Sequence, residues 1–243
     1  YSVAVGYEAG DHATGSYNTF VGGYAGQGGT TSAPFSSGAD NVAIGYEALK
    51  RFTSGQQNTA LGKGALAYVT TGGSNIGIGY QAGGNTTTAN GNIYIGRSTG
   101  NNNNSGIENV CVGEYNYTHT PGIVNFRNVT TLGSNAGRYA TGSYNTFLGS
   151  FAGHGGNTSA PFNSGQYNTA VGHEALKVFT TGTKNNIIGY RAGYSTTTGF
   201  TNQYIGYQAG YRNTTGRANT AIGANSQQGV SGQTTGQYNV SLG

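Results

Sequence analysis

One short motif recurs along the whole chain: a polar residue, usually Asn, then three residues ending in an aliphatic, then Gly. It reads Asn41-Val42-Ala43-Ile44-Gly45, Asn58-Thr59-Ala60-Leu61-Gly62, Asn75-Ile76-Gly77-Ile78-Gly79 and Asn92-Ile93-Tyr94-Ile95-Gly96. With two looser copies, ending at Gly6 and Gly133, there are 14 copies in 243 residues. The terminal glycines Gly45, Gly62, Gly79, Gly96 and Gly113 are evenly spaced. Longer units occur elsewhere, such as Gly22 to Gly45 and Gly149 to Gly172. The series of spacings itself restarts. Segment 13–49 matches segment 140–176 at 26 of 37 positions. A block of units was therefore duplicated, which gives a single repeat domain over 1–243 with halves 1–133 and 134–243. A fixed period of this size marks stacked units, none of which buries its apolar face alone.

Composition narrows what the unit is. Gly contributes 46 residues, Thr 32 and Asn 27, while charged residues are only 7%. Gly opposes helix by roughly 1 kcal/mol per residue. Collagen needs Gly at every third position and abundant Pro, and only 3 Pro are present. Disorder needs high net charge and few aromatics, whereas this chain has a net charge of +4 with 19 Tyr and 9 Phe. No long unbroken apolar run exists, so no helix is expected to cross a membrane.

Each unit reads as one turn of a parallel β-solenoid, all-β, with about 14 short turns. The residue before the motif Gly is aliphatic in every copy, as in Val21, Ile44, Leu61 and Ile188. Residues two apart share a strand face. The pattern therefore predicts that these aliphatics, and the mostly β-branched residues two places earlier, point into the core. The residue between them varies from Ala4 to Phe20, Gly77, Tyr94 and Cys111, and is predicted to face outward or toward another chain. The small residue three places after the Gly (Ala25, Ala48, Ala65) suits a narrow core corner. Thr/Ser-Gly pairs such as Ser54-Gly55 and Thr71-Gly72 are predicted to turn a second corner with φ > 0, giving two short strands and two Gly corners per turn. So few apolar side chains per turn make a thin core. Asn and Thr ladders could supplement it, or three chains could share the burial; the second is preferred.

The run Asn-Val-Ala-Ile-Gly resembles the head repeat of YadA-like trimeric autotransporter adhesins. The extended forms Asn41-Val-Ala-Ile-Gly-Tyr-Glu-Ala-Leu49 and Asn168-Thr-Ala-Val-Gly-His-Glu-Ala-Leu176 are similar to repeats of phage tail fibres. The resemblance covers essentially the whole chain. It implies a left-handed β-roll, a homotrimer, and an extracellular place on a virion tail fibre or cell-surface appendage. The regular turn, as from Gly45 to Gly62, is longer than the usual adhesin turn, and no neck, stalk, anchor or chaperone segment is recognisable.

Little catalytic chemistry is legible. The seven acidic residues do not assemble into a carboxylate pair that recurs in the duplicate: Asp40 lies near Glu47, but Tyr167 stands in the place of Asp40. The four His have no metal-ligand spacing. The Gly-rich stretches do not lead from a strand into a helix, so they are not phosphate loops. The chain is therefore expected to be no enzyme and to carry no metal or cofactor. Its basic residues are scattered, so it has no nucleic-acid footprint.

Three features suggest contact surfaces. The two longest units carry Pro34-Phe35 and Pro161-Phe162 on loops, where binding residues concentrate. A Tyr follows the motif Gly at Tyr7, Tyr46, Tyr80, Tyr190 and Tyr207, and the predicted file suits either a sugar or a trimer seam. An irregular aromatic stretch holds Tyr115, Tyr117 and His119. The expected partners are other copies of the chain and a host surface glycan or other cell-surface receptor. The leading reading is a structural and receptor-binding segment of a trimeric phage tail fibre or similar appendage. The alternatives are a bacterial trimeric adhesin head and an ice-binding solenoid, the latter from the Thr runs 86–88 and 196–198.

Overall fold

The computed structural model describes residues 1–29, 35–117, 125–156, 163–228 and 235–243. The chain folds as a parallel β-solenoid and forms two compact units, Tyr1–Arg127 and Asn128–Gly243. The first unit stacks β1 (Val3–Val5), β2 (Thr19–Val21), β3 (Val42–Ile44), β4 (Thr59–Leu61), β5 (Ile76–Ile78), β6 (Ile93–Ile95) and β7 (Val110–Val112). The second stacks β8 (Thr130–Leu132), β9 (Thr146–Leu148), β10 (Thr169–Val171), β11 (Asn186–Ile188), β12 (Gln203–Ile205), β13 (Thr220–Ile222) and β14 (Val240–Leu242). Within each unit, strands pair in parallel with their sequence neighbours, motif position on motif position. Ala43 lies beside Ala60, and Ile44 beside Leu61.

Each turn has one strand, not two. Elsewhere in the turn the described chain shows only isolated bridges, such as Ala13 with Ser36 and Asn90 with Ile107. The reason is local. The residue before the motif Asn adopts a left-handed φ, as in Gln57 (58°), Ser74 (57°) and Lys184 (56°), so extended backbone cannot continue through it. The two glycine corners also differ in kind. Gly62 has φ +130°, and a Cβ there would lie 2.6 Å from the Gly79 carbonyl oxygen. Gly55 is not in the left-handed region. Its Cβ would meet the Gly72 oxygen at 2.5 Å, so at that corner close approach of successive turns demands glycine, not φ > 0.

The faces of the strand are reversed relative to the sequence expectation. The middle residues Phe20, Ala43, Ala60, Tyr94, Cys111, Phe147, Ala170, Ile187 and Tyr204 are buried at 0–1% exposure. The flanking aliphatics look outward: Val5, Val21, Ile44, Leu61, Leu132, Ile188 and Ile222 are all exposed. Alternation separates two faces, but only the path of the rest of the turn decides which one it covers. That path brings in the predicted small corner residues (Ala25, Ala48, Ala65, Ala82, Ala175, Ala192), all fully buried.

At several levels the middle position varies because its volume is compensated within the same turn; at Gly77 and Gly83, both small, Leu66 and Tyr94 of the adjacent turns fill the space instead. The partner lies six positions on. Phe20 pairs with Gly26, Tyr94 with Gly100, Phe147 with Gly153 and Tyr204 with Gly210; each ring occupies the space a Cβ would need. Where the middle residue is Ala43, Ala60 or Ala170, the partner is buried Leu49, Leu66 or Leu176. The partner's backbone is left-handed in both cases, at +53° for Gly26 and 49° for Leu49. Aromatics of the regular turns that follow the long units complete the core, with Phe52 against Phe20 and Phe179 against Phe147, each 5.6 Å between ring centres.

Behind each strand runs an amide ladder. Asn58 donates from its backbone N and from Nδ2 to Oδ1 of Asn41, at 2.9 and 3.1 Å, and from Nδ2 to the Gly72 carbonyl at 3.0 Å. Asn75 repeats the pattern on Asn58 Oδ1 at 3.1 and 3.1 Å. The ladder runs from Asn18 to Asn109 in the first unit and from Asn145 to Asn239 in the second. Of the two devices considered for a thin core, the Asn ladder is present.

Two outcomes test this core. Asn58→Ala strands the backbone N of Asn75, one of its two Nδ2 hydrogens and the Gly72 carbonyl. At about 1–3 kcal/mol per unsatisfied buried group, chemical denaturation should show a loss of about 3 kcal/mol or more. Ala43→Phe alone overpacks and costs about 1–3 kcal/mol. Leu49→Gly alone opens a cavity and costs about 2–5 kcal/mol. The double variant recreates the Phe20–Gly26 arrangement and should be more stable than the sum by about 1 kcal/mol or more; strictly additive losses would refute the compensation.

Candidate functional site

The outward strand face is the most continuous surface in either unit. One aliphatic per turn (Val5, Val21, Ile44, Leu61, Ile78, Ile95, Val112) is stacked in register on its neighbour. A second row runs beside it through Val3, Thr19, Val42, Thr59, Ile76, Ile93 and Val110. At about 4.8 Å per turn, seven strands make a strip about 29 Å long whose aliphatic row is unbroken and whose second row is interrupted by Thr19 and Thr59. Side chains stand at 36–59% exposure from Val3 and Val5 through Val42, Ile44 and Leu61. From Ile76 to Val112 the strip is half-buried, and exposed apolar surface of this kind is a candidate interface.

Beside the strip, the residue after the motif Gly carries the predicted aromatics. In the second unit they form a true file: His173, Tyr190 and Tyr207 stack at 5.6 and 5.3 Å, each pair within 10° of parallel. In the first unit the file is broken, because Gly23 and Lys63 stand between Tyr7, Tyr46 and Tyr80. Tyr24, one position further on, bridges edge-to-face between Tyr7 and Tyr46 at 5.3 and 5.8 Å. All five predicted Tyr are exposed.

The other predicted contact residues scatter. Phe35 is exposed and stacks on His12 at 6.1 Å. Tyr115 lies under the Arg97 guanidinium at 4.6 Å, and Arg97 pairs with Glu114 at 2.6 Å. Tyr117 is 2% exposed and packs on Phe126 at 4.2 Å, so it belongs to the core. Pro34, Pro161, Phe162 and His119 lie outside the described residues. The Thr runs make no exposed array. Thr86 and Thr196 are fully buried, and the Thr197 hydroxyl donates to the Thr214 carbonyl at 3.2 Å.

Sequence reasoning missed one cluster. In the second unit Glu174 accepts from Lys177 Nζ and Arg191 Nε, both at 2.5 Å. Tyr194 and Tyr211 stack beside it at 5.2 Å, with the Arg191 guanidinium over both Tyr190 and Tyr194. The available signal was the recurrence of Tyr at one register position of successive turns, Tyr194 and Tyr211. Burial opposes charge on Glu174, but the Lys177 and Arg191 hydrogen bonds outweigh it and hold its pKa below the ordinary range. Nearby His154 packs against Tyr139 and Phe151 at 4.8 and 5.4 Å. Burial, with Lys177 and Arg138 close by, pushes its pKa down to about 4.

Among the described residues, no group of three or more His, Cys, Asp and Glu could hold a metal ion. Comparison with protein-family models, with curated proteins and with solved structures finds no match to this chain.

Both shifted groups set one pH dependence. His154 is depressed from about 6.5 toward 4, so its neutral form stabilises the fold, and that contribution fades as pH falls through this window. Glu174 is also depressed, so its contribution is likewise lost on acidification. Gln27 and Tyr46 stand at the places of His154 and His173 in the first unit. Thermal unfolding should therefore show lower stability near pH 4 than at neutral pH, and His154→Gln should reduce that difference.

Proposed function

We propose that the chain is a structural and receptor-binding segment of a homotrimeric fibre, of the phage tail-fibre kind or a similar extracellular appendage. It attaches to a host surface glycan through many weak contacts. The observation that carries this reading is the exposed aliphatic strip. A row of Val, Ile and Leu repeated on every turn gains most from being covered by an equally regular surface, and another copy of the chain supplies one. Burying about 25 cal/mol per Å² of apolar area favours that association. The motif that resembles trimeric β-roll repeats supports three copies around one axis.

The parallel design suits attachment. Successive turns place their outward side chains at the same register level, so where groups recur, as through His173, Tyr190 and Tyr207, they do so at fixed intervals. Three chains multiply them again, and linked weak contacts give avidity that no single contact has.

Light scattering on the purified chain tests the assembly. A mass near three times 24.8 kDa is expected. Ile44→Lys with Leu61→Lys places two charges on the strip. That variant should shift the mass toward 24.8 kDa while the β-sheet circular dichroism signal is retained. A folded wild-type monomer at micromolar concentration would sink the reading.

A further inference from the structure

The duplication provides an internal comparison. Counting from the motif glycines, Glu47 corresponds to Glu174, Gly64 to Arg191, Ala67 to Tyr194, Tyr68 to Ser195, Gly84 to Tyr211 and Asn85 to Arg212. In the second unit Lys177 and Arg191 bond the Glu174 carboxylate, whose side chain is 9% exposed, and Arg191 is backed by Tyr194, which stacks on Tyr211. In the first unit Arg191, Tyr194 and Tyr211 are reduced to Gly64, Ala67 and Gly84. A notch of about 130 Å³ opens there, lined by Glu47, Tyr68, Gln81, Asn85 and Asn101 above the small residues. Among the described residues the Glu47 carboxylate keeps only Lys50, at 2.8 Å, and its side chain is 33% exposed.

The backbone is not what differs. Gly64 N donates to the Tyr46 carbonyl at 2.9 Å, and Arg191 N to the His173 carbonyl at 3.0 Å. Gly64 has φ +67°, and Arg191 has φ 52°. The fold therefore accepts large side chains at this level, and the first unit lacks them.

The lining selects the ligand class. Glu47 accepts hydrogen bonds, and the amides of Gln81, Asn85 and Asn101 both donate and accept; Asn101 Oδ1 already takes the Asn85 backbone N at 3.0 Å, and Asn85 Nδ2 donates to Asn102 Oδ1 at 3.3 Å. Tyr68 adds an aromatic body with the Arg51 guanidinium at 4.6 Å. An incoming cation would meet Lys50 and Arg51 against a single carboxylate already paired. An incoming anion would meet Glu47. A neutral group rich in hydroxyls meets neither cost. The volume is far below the roughly 300–1,000 Å³ of pockets that enclose drug-sized ligands, so it holds one small ring and not a chain. We infer that this notch is a subsite for one neutral hexose unit of a glycan. The inference rests on the glycan-attachment reading above and places one contact of it.

Titration of the ¹⁵N-labelled full chain with the methyl glycosides of glucose, galactose and N-acetylglucosamine tests it. At least one should shift the amides of Gly64, Gly84 and Asn85, with a dissociation constant on the order of millimolar, as expected for so small a ligand. Gly64→Arg with Ala67→Tyr and Gly84→Tyr installs the second unit's own filling and should weaken binding at least tenfold. Glu47→Gln, which alters no backbone, should weaken it as well. Absence of notch shifts with all three glycosides, equal shifts in the filled variant, or shifts with glucosamine or N-acetylneuraminic acid alone would each overturn the subsite. Adhesion to glycan-coated surfaces separates the two readings. Undiminished adhesion by the filled variant removes the subsite and leaves attachment standing. Notch shifts without any adhesion remove attachment and leave the subsite standing.

Discussion

The structure depends on a buried asparagine that must hydrogen-bond to the turn before it and the turn after it. Each Asn uses both Nδ2 hydrogens and shares its Oδ1 between two donors of the next Asn, as Asn41, Asn58 and Asn75 show. Such a group is costly when unsatisfied, and inside the solenoid it is met by the neighbouring Asn of the ladder together with a corner carbonyl of the next turn such as Gly72 O. The ladder therefore forces register. A slip of one position would break every rung at once and place the motif glycines against side chains. Turns of unequal length keep the same rungs: Asn41 bonds Asn18 across a long unit as Asn58 bonds Asn41 across a short one. The ladder draws on motif residues and on the corner carbonyl three places before the next motif Asn, so length elsewhere in the turn does not disturb it.

With register held by polar groups, the apolar core has freedom to vary. It tends to a constant sum rather than a constant residue: Phe with Gly or Ala with Leu within one turn, and at Gly77 and Gly83 the neighbouring Leu66 and Tyr94. Interiors are packed too densely to accept either half of a pair alone. The same arrangement leaves the outward strand face free of any packing duty in the single chain. Its unbroken run of aliphatics is what the proposed self-association would cover.

The duplicated levels show how such a scaffold acquires different surfaces. Glu47 and Glu174 occupy one register position on equivalent backbone. Arg191 from the next turn bonds one, and glycine and alanine leave the other open. Neither change touches the Asn ladder or the compensated core. Surface chemistry can therefore be rewritten turn by turn without loss to the fold.

The solenoid, the position of every strand and the small corner were legible in the order of residues, because a strict period is visible without coordinates. So was the aromatic recurrence that became the Tyr190–Tyr207 file. The strand faces were not. Constancy at Ile44 and Leu61 read as core and variability at Phe20 and Tyr94 read as surface, since a periodic pattern separates two faces without saying which is covered. The second glycine corner was misread for a similar reason, for Gly55 answers to the carbonyl of the next turn and not to its own φ. The burial of Tyr117, the notch at Glu47 and the filled cluster at Glu174 emerged only in three dimensions. Each depends on which side chains meet across successive turns, and stacking sets that.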